Sequence, residues 1–245
     1  MGPLMTDFRS LHLGRSPADP LVLPGPWDAA SARVFAEAGF PALATPSAGV
    51  AASLGYADGQ TPADEMFAAI ARIVRAVESF GVLVSADIED GYGLPPKELV
   101  ARLADTGAVG CNLEDSTDGV LRDPGEQADR LAEVRVAAGG ALFVNARVDT
   151  YLRGVRDPAR TVVRARQYLA AGADCVYPIA APPGQLPELA AGIGAPLNAL
   201  CVPDGPSPRE LGELGATRVT FGPGLHHRAL AAVRDMAGQL SGGTR

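Results

Sequence analysis

Short runs of apolar residues recur along the chain, separated by segments of helical periodicity. They cover residues 21–23, 42–45, 82–86, 108–113, 141–147, 175–179, 196–200 and 218–221. Each is nearly continuous in apolar residues rather than alternating, the pattern of strands buried on both faces of a parallel sheet. From the second run onward a glycine stands shortly before each: Gly39, Gly81, Gly107, Gly140, Gly172, Gly194 and Gly215. Glycine in that place closes a helix. Helices are predicted over residues 29–38, 62–80, 95–105, 126–138, 158–171, 186–191, 208–214 and 225–240, several with Pro near the first turn, where a missing N–H costs nothing. Eight strand–helix units with no break between them predict one α/β domain over residues 1–245, a (β/α)8 TIM barrel, with residues 1–18 as an irregular N-terminal extension. An open doubly wound sheet is the second choice. It is weakened because Pro24-Gly25-Pro26-Trp27 stands where a G-x-G-x-x-G would follow the first strand.

Composition narrows the functional classes. With 47% hydrophobic and 20% charged residues, the chain has the apolar content of a folded protein rather than a disordered one. Lys and Arg number 21 against 28 Asp and Glu, a formal charge of -7. No basic block occurs, so there is no electrostatic footprint for nucleic acid or an anionic membrane surface. A small polar ligand is the expected partner. Cys111, Cys175 and Cys201 lie far apart, which suggests neither a disulfide framework nor a zinc cluster. Asp7, Arg9, Arg15 and Asp19 interrupt any signal-like segment, and no later run approaches the roughly 18 apolar residues needed to cross a bilayer. A cytoplasmic protein is expected.

In such a barrel the site lies at the carboxyl ends of the strands. The residues there are conspicuously polar. The third run leads into Asp87-Ile88-Glu89-Asp90-Gly91-Tyr92-Gly93, the fourth into Glu114-Asp115, and the fifth ends in Asn145-Ala146-Arg147-Val148-Asp149. Asp87 and Glu89 are two apart, so on a continuing strand both point to one side, where Glu114 meets them from the neighbouring strand. Three converging carboxylates suit a hard cation such as Mg2+, which takes oxygen ligands and keeps several waters. A single acidic residue at a strand end would be read as a cap or a solvated loop. Arg147, ending an apolar strand, either clamps an anionic substrate or forms an ion pair with Asp149 or Glu114. Asn198 either orients substrate or satisfies a turn, and Tyr177 and His226 are weaker candidates. The polar segment 115–125 is expected to be a mobile lid, with Arg122 as its substrate-facing cation.

Taken together, 87–93, Asn112-Leu113-Glu114-Asp115 and 145–149 resemble, in order and spacing, the isocitrate lyase/phosphoenolpyruvate mutase superfamily. Pro24 to Ala32, Leu54 to Gly59 and Thr220 to Gly224 extend the likeness over nearly the whole chain. The resemblance implies a barrel that binds Mg2+, with Mn2+ as a substitute, and an oxo or hydroxy carboxylate. It makes Asp87 a metal ligand, Glu89 and Glu114 holders of metal-bound water, Asp58 a further carboxylate of that network, and Arg147 the substrate clamp. Trp27, Ser47, Ala48, Asn198 and Arg122 become substrate contacts, and Arg147, Glu114 and Asp58 the catalytic set. The Lys-Lys/Arg-Cys-Gly-His segment of the isocitrate and methylisocitrate lyases is replaced here by Ser116 to Gly125, and the Lys-Thr-Asn-Ser-like segment of the phosphoenolpyruvate mutases is absent too. The expected activity is therefore a carbon–carbon lyase (decarboxylase, oxo-acid hydrolase or aldol-type cleavage) acting on a small 2-oxo or hydroxy dicarboxylate through an enolate. Phosphorus–carbon chemistry on phosphoenolpyruvate or phosphonopyruvate is the enzymatic alternative, and a non-catalytic oxo-acid-binding barrel the third reading. The family often exchanges a terminal helix between subunits, which implies a homo-oligomer, a dimer or tetramer. With about twenty residues after Gly224, association is expected through the barrel helices rather than by exchange.

Overall fold

The computed structural model describes residues 8–242. Its wall consists of β1 (Leu21–Val22), β2 (Ala42–Ala44), β3 (Leu83–Asp87), β4 (Gly110–Leu113), β7 (Phe143–Val148), β8 (Cys175–Pro178), β9 (Asn198–Leu200) and β10 (Arg218–Thr220), while β5 (Ser116–Thr117) and β6 (Val120–Leu121) form a separate hairpin. Parallel pairing runs β2-β3-β4-β7-β8 and β1-β10-β9. A bridge from Val176 to Leu197 joins β8 to β9, and the Ala44 N–H donates to the Pro24 carbonyl at 3.0 Å to join β2 to the end of β1. The ring is thereby closed, as the predicted (β/α)8 barrel requires.

Around it lie α1 (Ala29–Glu37), α2 (Ser47–Leu54), α3 (Ala63–Val77), α4 (Pro96–Asp105), α5 (Pro124–Ala138), α6 (Pro158–Ala170), α7 (Leu186–Ile193), α8 (Pro208–Glu213) and α9 (Gly224–Gly242). The seven glycines that precede the strands all have left-handed φ, between 68° and 108°, so the chain reverses there in a conformation that costs other residues strain. The main core, including Leu43, Ile70, Val84, Leu103, Val144 and Leu189, fills the space between wall and helices.

Of the expected irregular extension, residues 1–7 lie outside the described residues, and residues 8–10 are helical. Phe8 is fully buried with Leu21, Ala42, Phe143 and Cys175 at the amino-terminal end of the barrel. His12 stacks on Phe143 at 4.1 Å, and Arg9 pairs with Asp174. Burial and the nearby arginines, Arg218 foremost, push His12 down to about 3, so it packs there as a neutral ring. At the other end of the chain, α9 stands off the barrel with Val233, Met236 and Leu240 exposed on it. Among the described residues no helix is long and apolar enough to cross a membrane.

Two elements were not predicted, α2 and the β5–β6 hairpin. The first begins after Pro46 without a side-chain cap, and its sequence SAGVAASL carries no charge to mark a solvent face. The hairpin turns at Asp118 and Gly119, both with positive φ (49° and 81°), the pair a two-residue type I′ turn requires.

Candidate active site

Alternation along the strands turns one set of side chains into the lumen. At the floor these are mostly apolar, with Arg218 buried over the Phe143 ring, and toward the strand ends they become polar: the Asn145 amide donates to Asn112 Oδ1 at 2.6 Å, and the Asn198 amide to Thr220 Oγ1 at 2.9 Å. Above them the strand ends and loops enclose two adjoining cavities. The inner one, of about 160 Å³, is lined by Ser47, Ala48, Asp87, Arg147, Tyr177 and Thr220 among others; the outer one, of about 390 Å³, opens past Asp58, Glu89, Glu114, Thr117, Asp118 and Arg153. Strand order thus gathers five of the predicted residues, Asp58, Asp87, Glu89, Glu114 and Arg147, with Ser47 and Ala48 from the start of α2.

Asp87 is fixed from two neighbours. Its carboxylate accepts from Ser47 Oγ at 3.0 Å and from the Ser47 N–H at 3.4 Å, and its own N–H donates to Thr45 Oγ1 at 3.1 Å. Burial drives its pKa upward against the pull of Arg147. Glu89 follows in a left-handed conformation (φ 51°), uncommon for a non-glycine residue, and its Oε1 is buried with no hydrogen-bond partner among the described residues. Burial, then Asp87, Asp58 and Asp90, push its carboxyl up to about 7. Glu114 is likewise driven upward by burial and by Asp87, Asp149 and Glu89, although Arg147 opposes the shift.

Arg147 meets both of the ion-pair partners that the sequence offered. Its Nε and Nη2 donate to the two oxygens of Asp149 at 2.6 and 3.0 Å, and its Nη1 pairs with Glu114. The guanidinium nevertheless lines both cavities. Asp149 has no exposed surface; the Ser116 hydroxyl also donates to it, and its N–H donates to Asp115, whose carboxylate in turn accepts from Arg164 at 3.0 Å and Tyr168 at 2.7 Å. A buried ionic scaffold therefore presents Arg147 from beneath the site.

The direct three-carboxylate grip suggested by Asp87, Glu89 and Glu114 is not formed, since Glu114 is turned toward Arg147. Among the described residues no three His, Cys, Asp or Glu side chains stand close enough to hold an ion by themselves. What remains is an excess of buried negative charge and an orphaned carboxylate oxygen, with Arg147 already shared by two acids. That donor set fits a hard cation that retains most of its water.

Three predicted contacts fall elsewhere. Trp27 lies edge-on to His226 at 5.2 Å and is absent from the lining of both cavities. Asn198 is fully buried and acts on Thr220 rather than facing the cavity. Arg122 does not turn inward: it pairs with Asp90 at 3.0 Å and donates to Thr117, while its carbonyl accepts from Arg164. The segment expected to be a mobile lid contains a hairpin held at its base by these contacts. The cation that reaches the outer cavity besides Arg147 is Arg153, whose guanidinium donates to Ser116 Oγ at 3.2 to 3.4 Å. Its place just beyond the fifth wall strand, four residues after Asp149, was the signal available in the sequence.

Comparison with known proteins agrees with this geometry. A family model described as phosphoenolpyruvate phosphomutase matches residues 8–241. An uncharacterized protein of Mycobacterium tuberculosis H37Rv, Rv1998c, is 38% identical over 226 residues, 91% of this chain and 86% of that one. The crystal structure of a candidate phosphonomutase from Burkholderia cenocepacia J2315 superposes with a TM-score of 0.88 at 40% identity, covering 96% of this chain and 98% of that one. For 2,3-dimethylmalate lyase, a member of the phosphoenolpyruvate mutase/isocitrate lyase superfamily, the TM-score is 0.84 at 28% identity, over 98% and 88% of the two chains. With the acidic strand ends, the arginine and the closed barrel all in place, the chain belongs to the phosphoenolpyruvate phosphomutase family, within that superfamily.

Proposed function

We propose that this protein is a Mg2+-dependent carbon–carbon lyase acting on a small 2-oxo or hydroxy dicarboxylate, by decarboxylation, hydrolysis or aldol-type cleavage, through an enolate. The observation that supports it most is the meeting of a helix amino terminus, a buried guanidinium and surplus carboxylates at one inner cavity. Asp87, Glu89 and Glu114 would hold the Mg2+ or Mn2+, which when bound supplies a Lewis acid beside the substrate oxo group. The first N–H groups of α2, at Ser47 and Ala48, would receive the substrate carboxylate, the Ser47 N–H giving up its long contact to Asp87 to do so. Arg147 would stabilise negative charge as it develops. Asp58 and the hairpin complete the rim. A homo-oligomer, associating through the barrel helices, belongs to the same reading.

Assay of a panel of oxo and hydroxy dicarboxylates, followed for pyruvate, glyoxylate, CO2 and phosphate, tests the reading. Turnover should need Mg2+ and stop with a chelator. Phosphate release from phosphonopyruvate would favour the second reading, phosphorus–carbon chemistry, which the likeness to the Burkholderia candidate phosphonomutase supports. Oxalate binding without turnover of any compound would make the chain a binding barrel.

Arg153 is the cation expected to take the second carboxylate. Arg153→Ala should raise KM for dicarboxylates by about tenfold, the loss of one exposed charge-assisted contact, and leave pyruvate-like monocarboxylates nearly unchanged. Arg122→Ala should instead lower thermal stability through the hairpin base, with a smaller effect on KM.

A further inference from the structure

Cleavage of a carbon–carbon bond beside an oxo group leaves an enolate carbon that must receive a proton. Few groups on the inner cavity hold one to give. Asp87, Glu89 and Glu114 are assigned to the cation, and the Ser47 hydroxyl is directed at Asp87. Cys111, Cys175 and Cys201 line neither cavity, and His226 faces Trp27. Tyr177 remains. It lies opposite Arg147 in the β7–β8 register, is 3% exposed, and lines the inner cavity together with Asp87, Asn112 and Thr220.

We propose that Tyr177 is the proton donor to the enolate carbon, oriented by the Asn198–Thr220 pair. This inference rests on the lyase reading above. The Asn198 amide donates to Thr220 Oγ1, which leaves the threonine proton free to be turned toward the phenol on the same cavity wall. The phenol is then left with its own proton to give to the cavity. In the step itself the Tyr177 O–H bond breaks, the enolate carbon–carbon π pair forms the new C–H bond, the oxo group is restored, and the phenolate is reprotonated by water as product leaves.

The phenolate has built-in support. Arg147 stands on one side, and Arg218 acts from within the barrel. Arg218 has no exposed surface, and its Nη2 donates to Ser85 Oγ at 3.3 Å, while Nε and Nη1 have no hydrogen-bond partner among the described residues. An unpaired guanidinium is costly to bury, so a transient anion nearby gives it a function. Burial pushes the phenol up to about 12, with both arginines working against that rise, so it stays protonated at neutral pH until the enolate forms.

The reverse of this step exchanges the methyl protons of pyruvate with solvent, and it can be followed without knowing the full substrate. The Mg2+-loaded protein in D2O should exchange pyruvate methyl protons, seen as loss of their NMR signal. Tyr177→Phe should slow exchange at least about a hundredfold, in the range for removal of a general acid or base, while the affinity for oxalate with Mg2+, measured by calorimetry, changes less than about threefold. Thr220→Val should slow it about tenfold and Thr220→Ser should recover it, which supplies a reading even if the phenylalanine variant folds poorly. Wild-type exchange in Tyr177→Phe, or a wild-type protein that binds pyruvate and oxalate yet does not exchange, would overturn the inference. A wild-type protein that binds neither acid with Mg2+ would overturn the lyase reading itself, and the inference with it.

Discussion

Asp87→Asn is expected to lose Mg2+ binding and at least about a thousandfold in turnover, while the fold is kept and the melting temperature of the metal-free protein stays level or rises. The substitution removes an anionic oxygen from the site and the electrophile with it. It also removes a charge whose burial is unfavourable, as the upward shift of the Asp87 carboxyl shows. The direction of the pH dependence follows. A carboxyl raised above its unfolded value contributes stability that is complete below the unfolded pKa and lost as pH rises through the folded one. For Glu89 that window runs from 4.5 to about 7, and Asp87 shifts the same way. Metal-free wild type should therefore melt at a lower temperature at pH 8 than at pH 5, and Mg2+ should narrow the difference, by roughly 2–4 °C for each kcal/mol recovered. Calorimetric titration with Mg2+ and thermal melts check both statements. Undiminished metal affinity in the variant would remove Asp87 from the site.

Arg147→Lys should cost about a hundredfold or more in turnover, and Arg147→Met should also destabilise the protein. The guanidinium serves Asp149 through two nitrogens and Glu114 through a third, a planar fork that an ammonium cannot reproduce. With methionine in its place, Asp149 keeps Ser116 as a donor but loses its counter-charge in a site with no solvent exposure. Breaking a buried pair from one side costs about 3–5 kcal/mol. Kinetics and denaturant melts separate the two contributions. Unchanged turnover in Arg147→Lys, with only stability reduced, would make the arginine a scaffold element.

The barrel was legible because glycine and apolar runs repeat on the same cycle. Gly172 before Cys175 and Gly194 before Asn198 carry that signal as plainly as the acidic strand ends carry the chemistry. Asp87 and Arg147 could be found because a charge at the end of an apolar strand has few explanations. Partnerships were less legible. Arg122 and Arg153 look alike in sequence, and what separates them is Asp90, 32 residues before Arg122 and brought next to it by the β3–β4 pairing. The Asp118-Gly119 pair was the sign of a tight hairpin, but polar composition alone suggested a loose segment. Tyr177 is a weak candidate in the sequence because Asp87, Asn112 and Thr220, which share its cavity, come from strands that only ring closure brings together.

The amino-terminal plug sets an order of events during synthesis. Arg9 pairs with Asp174, 165 residues downstream, and Phe8 and His12 pack on Phe143. At the usual rate of about 5–20 residues per second, the segment that seals the barrel floor emerges roughly 10–30 s before its last partner exists. Sealing is therefore a late, long-range closure, of the kind that slows folding. Until it occurs Phe8 lacks the partners that bury it, which gives a nascent-chain chaperone time to act.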